Sequence, residues 1–99
     1  MAIRVRRSSS NVYRDLGFSP EEAENLRARS DLMIELTKII KARRLTQAAA
    51  AKLLGVTQPR ISDLMRGRID RFSIDSVIEM LGHAGLRVRF ILKPRRKAA

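Results

Sequence analysis

Apolar residues recur along this chain with two different periods, and the change of period divides it into elements. Leu26, Met33, Leu36, Ile39 and Ile40 fall on one stripe at helical spacing. Ser19 is a good N-cap, Pro20 suits the first helical position, and Glu22 completes a capping box. No Pro or Gly interrupts the chain from there to Arg44, so residues 20–44 form one long helix or two that abut, with Ser30-Asp31 able to cap a restart. Thr46 caps a second helix that Gly55 ends at Leu54, and Thr57 caps a third that ends at Gly67. Pro59 lies in the first turn of that third helix, where its missing N–H costs nothing. Ser73 caps a further helix with Ile74, Val77, Ile78 and Leu81 on one face, closed by Gly82 and Gly85. The period then changes to two. Val88, Phe90 and Leu92 point one way, and Arg87, Arg89, Ile91 and Lys93 the other, which predicts a strand ended by Pro94.

Residues 1–18 read as an extended or flexible segment, broken by Ser8-Ser9-Ser10 and Gly17, with Ile3–Arg6 able to form a short strand. Residues 19–85 form the helical domain. Residues 86–99 hold the strand and the basic tail Arg95-Arg96-Lys97. A lone strand needs hydrogen-bonding partners. Ile3–Arg6 is one candidate and the same strand of a second copy is the other. The second is preferred because symmetric pairing also makes a dimer, with Val88, Phe90, Ile91 and Leu92 in the contact.

The stretch Gln47 to Met65 constrains function most. Ala50, Leu54, Val56, Ile61 and Leu64 take inward positions, Ala51 is small where two helices cross, and Gly55 supplies a positive φ between them. Those features together describe a helix-turn-helix that places a helix in the DNA major groove. On a helical wheel Ile61, Leu64 and Met65 cluster on one side. The opposite side carries Pro59, Ser62, Asp63 and Arg66, flanked by Gln58 and Arg60. Gln58 suits adenine N6/N7, Arg60 and Arg66 suit guanine or phosphate, and Ser62 is permissive. Asp63 is unusual on that face: phosphates repel it unless it accepts from cytosine N4 or pairs with Arg60 or Arg66. Gln47 and Thr57, at helix N-termini, are placed for phosphates, and Arg68 and Arg71 follow on a loop that reaches backbone or minor groove.

Charge agrees with that reading. Lys plus Arg number 21 against 10 Asp plus Glu, a net +11 over 99 residues, which favours a polyanionic partner. The absence of cysteine excludes disulfides and thiolate metal sites. The sequence carries no metal cluster, phosphate loop or catalytic triad, so neither cofactor nor enzymatic activity is expected. The single histidine, His83, falls near a helix end, where it suits the dipole better than catalysis. The N-terminus has no apolar run behind its basic residues and is not a signal peptide.

Leu45-Thr46-Gln47-Ala48, Ala51, Leu54-Gly55-Val56, Gln58, Ile61-Ser62 and Gly67 resemble the XRE family of Cro/C1-type helix-turn-helix repressors. The likeness extends outward. Asn11–Phe18, Glu21–Leu26, Arg71-Phe72-Ser73 and a terminal strand such as Arg87–Leu92 look like the HigA-type antitoxins of type II toxin–antitoxin pairs. The resemblance implies an all-α, lambda-repressor-like domain of four to five helices with a C-terminal strand. It implies that Gln47, Thr57, Gln58, Arg60, Ser62 and Asp63 contact a palindromic operator, and that Asn11–Phe18 with the following helix contacts a RelE/HigB-like mRNA-cleaving toxin. Two departures stand out. Antitoxins are often acidic, whereas this chain is strongly basic, and Pro59 replaces a polar residue of the recognition helix. A stand-alone repressor and a non-specific basic nucleic-acid-binding protein are the competing expectations. Each places the chain in the bacterial cytoplasm.

Overall fold

The computed structural model describes residues 2–4 and 12–94. Helices dominate, in the order β1 (Ala2–Arg4), α1 (Val12–Asp15), α2 (Pro20–Ala42), α3 (Gln47–Leu54), α4 (Gln58–Met65), a 3₁₀ turn (Ile69–Arg71), α5 (Ile74–His83) and β2 (Arg87–Arg89). Residues 20–42 form one helix: Ser30-Asp31 does not restart it, because nothing there breaks the backbone bonds of a segment with strong helix formers on both sides. Its Ser19 cap accepts from the Glu22 N–H at 3.2 Å. Thr46 accepts from Ala49 at 3.1 Å, and Ser73 forms a reciprocal pair with Ser76.

The core is aliphatic. Leu32, Leu36, Leu54, Ile61, Leu64, Val77 and Leu81 are fully buried and hold α2, α3, α4 and α5 together. Leu32 belongs to this set although the stripe drawn from sequence passes beside it. Leu26, Ile39 and Val56 are only half-buried. Arg27 is buried on α2 with its Nε 3.9 Å from Asp31 Oδ2. Burial raises the Asp31 carboxyl above its usual range, ahead of the opposing pull of Arg27.

All five α-helices among the described residues end in the same way. A residue with positive φ follows the helix (Gly17, Arg44, Gly55, Gly67 and Gly85). The next residue returns its N–H to a carbonyl five positions back: Phe18 to Tyr13, Leu45 to Ile40, Val56 to Ala51, Arg68 to Asp63 and Leu86 to Leu81. This is the Schellman closure. In three connections the helix cap follows at once, so Gly17-Phe18-Ser19, Arg44-Leu45-Thr46 and Gly55-Val56-Thr57 are one three-residue joint used three times. The joint after α4 is different. Arg68–Arg71 is inserted between Gly67 and Phe72-Ser73.

Two expectations change. Residues 12–15 are helical, not extended, and the ring of Tyr13 meets Phe18 edge-on at 6.2 Å. Gly17, expected from the sequence only to interrupt an extended segment, belongs to the joint that closes α1. The terminal strand is also shorter than the alternation suggested. It spans Arg87–Arg89 and pairs in parallel with β1 of the same chain, Ile3 opposite Val88, instead of with the preferred partner, the same strand of a second copy. Val88 packs against the chain's own core, while Phe90, Ile91 and Leu92 lie beyond the strand and are exposed. α5 runs through Gly82 and closes at Gly85. Val5 to Asn11, including Ser8–Ser10, and the tail Arg95–Lys97 lie outside the described residues.

One demand dominates at Gly55, its left-handed backbone, and a movable ring adds a lesser one. Its φ is +70°, and a Cβ there would come within 3.2 Å of the His83 ring. Gly55→Ala is expected to lower stability by about 1–2 kcal/mol, read as a reduced urea midpoint at unchanged m-value, with Gly55→Asn losing less. Adding His83→Ala recovers little, because His83 is exposed and its ring can swing aside.

Candidate nucleic-acid interface

α4 is eight residues long and buries Ile61 and Leu64 against the core. An apolar pair at this spacing fixes the rotation of a short helix, so its outer face is determined by what lies beneath. Gln58, Pro59 and Arg66 are exposed on that outer face, and Ser62 and Asp63 are half-buried at its border. Gln47 opens α3 and is exposed, as are Ala48, Ala49 and Lys52 beside it. Thr57 stands at the N-cap of α4 in extended conformation, but its hydroxyl makes no cap bond, unlike that of Thr46. That oxygen is left for a contact outside the helix, next to the positive end of the helix dipole.

Two members of the sequence-derived set are engaged within the chain. The Arg60 guanidinium lies 4.2 Å from the centroid of the buried Phe72 ring. Its Nη1 donates to the Arg71 carbonyl. Asp63 pairs with neither Arg60 nor Arg66. Its Oδ2 accepts from Arg71 Nη1 at 3.2 Å, and its Oδ1 lies 3.8 Å from Arg68 Nε. The carboxylate that looked out of place on a phosphate-facing helix is therefore compensated by the loop that follows, which periodicity within α4 could not reveal.

Other arginines also carry structure. Arg29 Nη1 on α2 donates to the Ile69 carbonyl at 3.1 Å, and its Nη2 to Asn25 Oδ1. Arg43 Nη2 donates to the Ala84 carbonyl at 3.2 Å, at the end of α5. Arg29, Arg43, Arg60 and Phe72 are structural supports that periodicity within one element does not reveal. The one visible signal was Arg68, which occupies the position that holds Phe18, Leu45, Val56 or Leu86 after every other helix.

A family model described as a helix-turn-helix domain matches residues 12–91. A solved structure described as a candidate XRE-family transcriptional regulator is 34% identical, with a TM-score of 0.70 over 79% of this chain and 90% of that one. The chain belongs to the XRE family of helix-turn-helix proteins. No match was found among curated proteins. In the family's geometry α4 is the recognition helix and α3 the helix across the backbone. Among the described residues no group of His, Cys, Asp and Glu is placed to hold a metal ion, and no helix is long and apolar enough to cross a membrane.

Proposed function

We propose that this DNA-binding transcriptional regulator is a repressor that reads a palindromic operator as a dimer. The observation that carries the reading is the outer face of α4. Gln58 and Arg66 stand exposed there, opposite the buried Ile61 and Leu64, and beside a Thr57 hydroxyl not spent on capping. Gln58 has the two-sided amide that adenine accepts, Arg66 suits guanine or phosphate, and Ser62 is permissive. Gln47 and Thr57 anchor the backbone from two helix N-termini. Pro59 stiffens the entry of α4 and contributes only apolar contact. Gln58→Ala is expected to weaken operator binding by about 1–3 kcal/mol and relax preference at one base pair. Unchanged affinity and preference in a competition titration rule out the assignment. A uniformly salt-steep affinity without preference would favour the non-specific alternative.

A second copy is the natural cover for Phe90, Ile91 and Leu92, three successive exposed apolar residues next to a strand whose far edge is open among the described residues. Removing residues 90–99 leaves Leu86 and Val88 in place and is expected to give monomers by light scattering. A dimeric mass would exclude this contact.

The antitoxin reading rests on a different surface. Leu16, Phe18 and Ile34 are exposed. A groove of about 200 Å³ between α1, α2 and the end of α4 is lined by Met33, Ile34, Met65 and Ile69 together with the polar Ser30 and Thr37. A surface of exposed apolar residues beside a mixed groove suits a protein partner, and the resemblance makes a RelE/HigB-like toxin the expected one. The neighbouring reading frame decides the question. A small ribonuclease that is toxic alone, and whose complex with this chain is lost on Ile34→Asp, is the expected result. No such gene, or a complex unaffected by Ile34→Asp, counts against it.

A further inference from the structure

After each of four helices, the residue that follows the left-handed position is apolar, and its N–H bonds to the carbonyl of a residue with an apolar or aromatic side chain five positions back. The pairs are Phe18 with Tyr13, Leu45 with Ile40, Val56 with Ala51 and Leu86 with Leu81. An apolar contact is the usual companion of the closure. After α4 the same two positions hold Arg68 and Asp63, and they form an ion pair. The exchange coincides with the only joint lengthened by four residues, Arg68–Arg71.

The inserted loop is then tied back to α4 at both levels of Arg71. The Arg71 carbonyl accepts from Arg60 Nη1, and the Arg71 side chain donates to Asp63 Oδ2 at 3.2 Å. Arg60 and Asp63 are three residues apart, so one turn of α4 holds both ends of a single loop residue. Arg60 is itself fixed by stacking on Phe72, and Arg29 holds the Ile69 carbonyl from α2 at 3.1 Å. An arginine pair on a free loop would have to be ordered on binding, at a cost in side-chain entropy. Here the ordering is already present.

Exposure indicates what the ordering serves. The Asp63 side chain is 19% exposed, whereas those of Arg68 and Arg71 are 43% and 52% exposed. The carboxylate is tucked behind two outward guanidiniums. It accepts a hydrogen bond from Nη1 of Arg71 and lies 3.8 Å from Nε of Arg68 as an ion pair, so each guanidinium keeps further N–H donors for an outside partner. Two cations and one shielded anion leave a net positive clip held beside α4. If the pairs served only stability, an apolar couple would do as well, since exposed ion pairs contribute little.

Resting on the DNA-binding reading above, we propose that Arg68 and Arg71 are a preorganised clamp for a DNA phosphate. In this clamp Asp63 and Arg60 are positioning residues and do not read bases. Fluorescence titrations of the full chain against mixed-sequence duplex DNA, and against a duplex selected with the parent chain, test it. Arg68→Ala and Arg71→Ala are each expected to weaken binding to both duplexes alike and to reduce the salt slope by about one. Asp63→Asn is expected to weaken both about 2- to 5-fold without altering base preference, although it removes a negative charge. That loss should vanish in the Arg68→Ala/Arg71→Ala background. Asp63→Leu/Arg68→Leu, which restores the apolar couple of the other helices, is expected to keep the parent's melting temperature while losing affinity. Tighter binding by Asp63→Asn, a changed preference at one base pair, or an equal loss in the double-alanine background each overturn the clamp and leave the recognition helix untouched. A parent chain that binds neither duplex overturns the DNA-binding reading itself and the clamp with it.

Discussion

Everything α4 offers to a partner depends on Ile61 and Leu64 being out of water. Eight residues are too few for a helix to persist alone, so α4 exists because its apolar pair is buried in the core it shares with α2 and α3. The same burial sets its rotation. Gln58 and Arg66 are outward because Ile61 and Leu64 are inward, and a change of apolar partner beneath the helix would turn the polar face above it. The reading surface is thus a property of the core and not only of the residues that line it.

A net charge of +11 invites the picture of a uniformly basic surface awaiting a polyanion. The arginines divide instead into two roles. Arg29, Arg43 and Arg60 donate to the carbonyls of Ile69, Ala84 and Arg71, stitching together segments well apart in sequence. These are charge-assisted bonds to carbonyls at helix ends and turns, and the Ile69 carbonyl accepts from the Phe72 N–H as well. Arg66 faces outward. Net charge alone cannot distinguish the two roles, because what separates them is which carbonyl lies within reach.

Much of the architecture was legible because local rules suffice for it. Ser19, Thr46 and Ser73 are caps in the structure as in the sequence, Gly55 takes the left-handed conformation its position demanded, and Ala50, Leu54, Ile61 and Leu64 are buried as their spacing required. What escaped depends on contacts between segments. The intrachain partners of Arg60, the Phe72 ring and the Arg71 carbonyl, lie beyond α4, where a helical wheel has no place for them. Asp63 looked anomalous because its partners are in the next loop. The partner of the terminal strand was one of two candidates, and periodicity has no term for strand pairing across most of the chain. The short helix α1 was missed since four residues carry too little pattern to register, although Gly17 and Phe18 spell the same closure found after the longer helices.

The repeated three-residue joint has a consequence for how such a chain can change length. Between left-handed residue and cap there is a single residue, so an insertion at Phe18, Leu45 or Val56 would displace a whole helix and the core with it. Only the joint after α4 has slack, and there four added residues are absorbed without disturbing Phe72 in the core or the Ser73 cap. Insertions and deletions in relatives should therefore collect at that one joint. It is the place where the reach of the loop beside the recognition helix can be lengthened or shortened while the fold stays as it is.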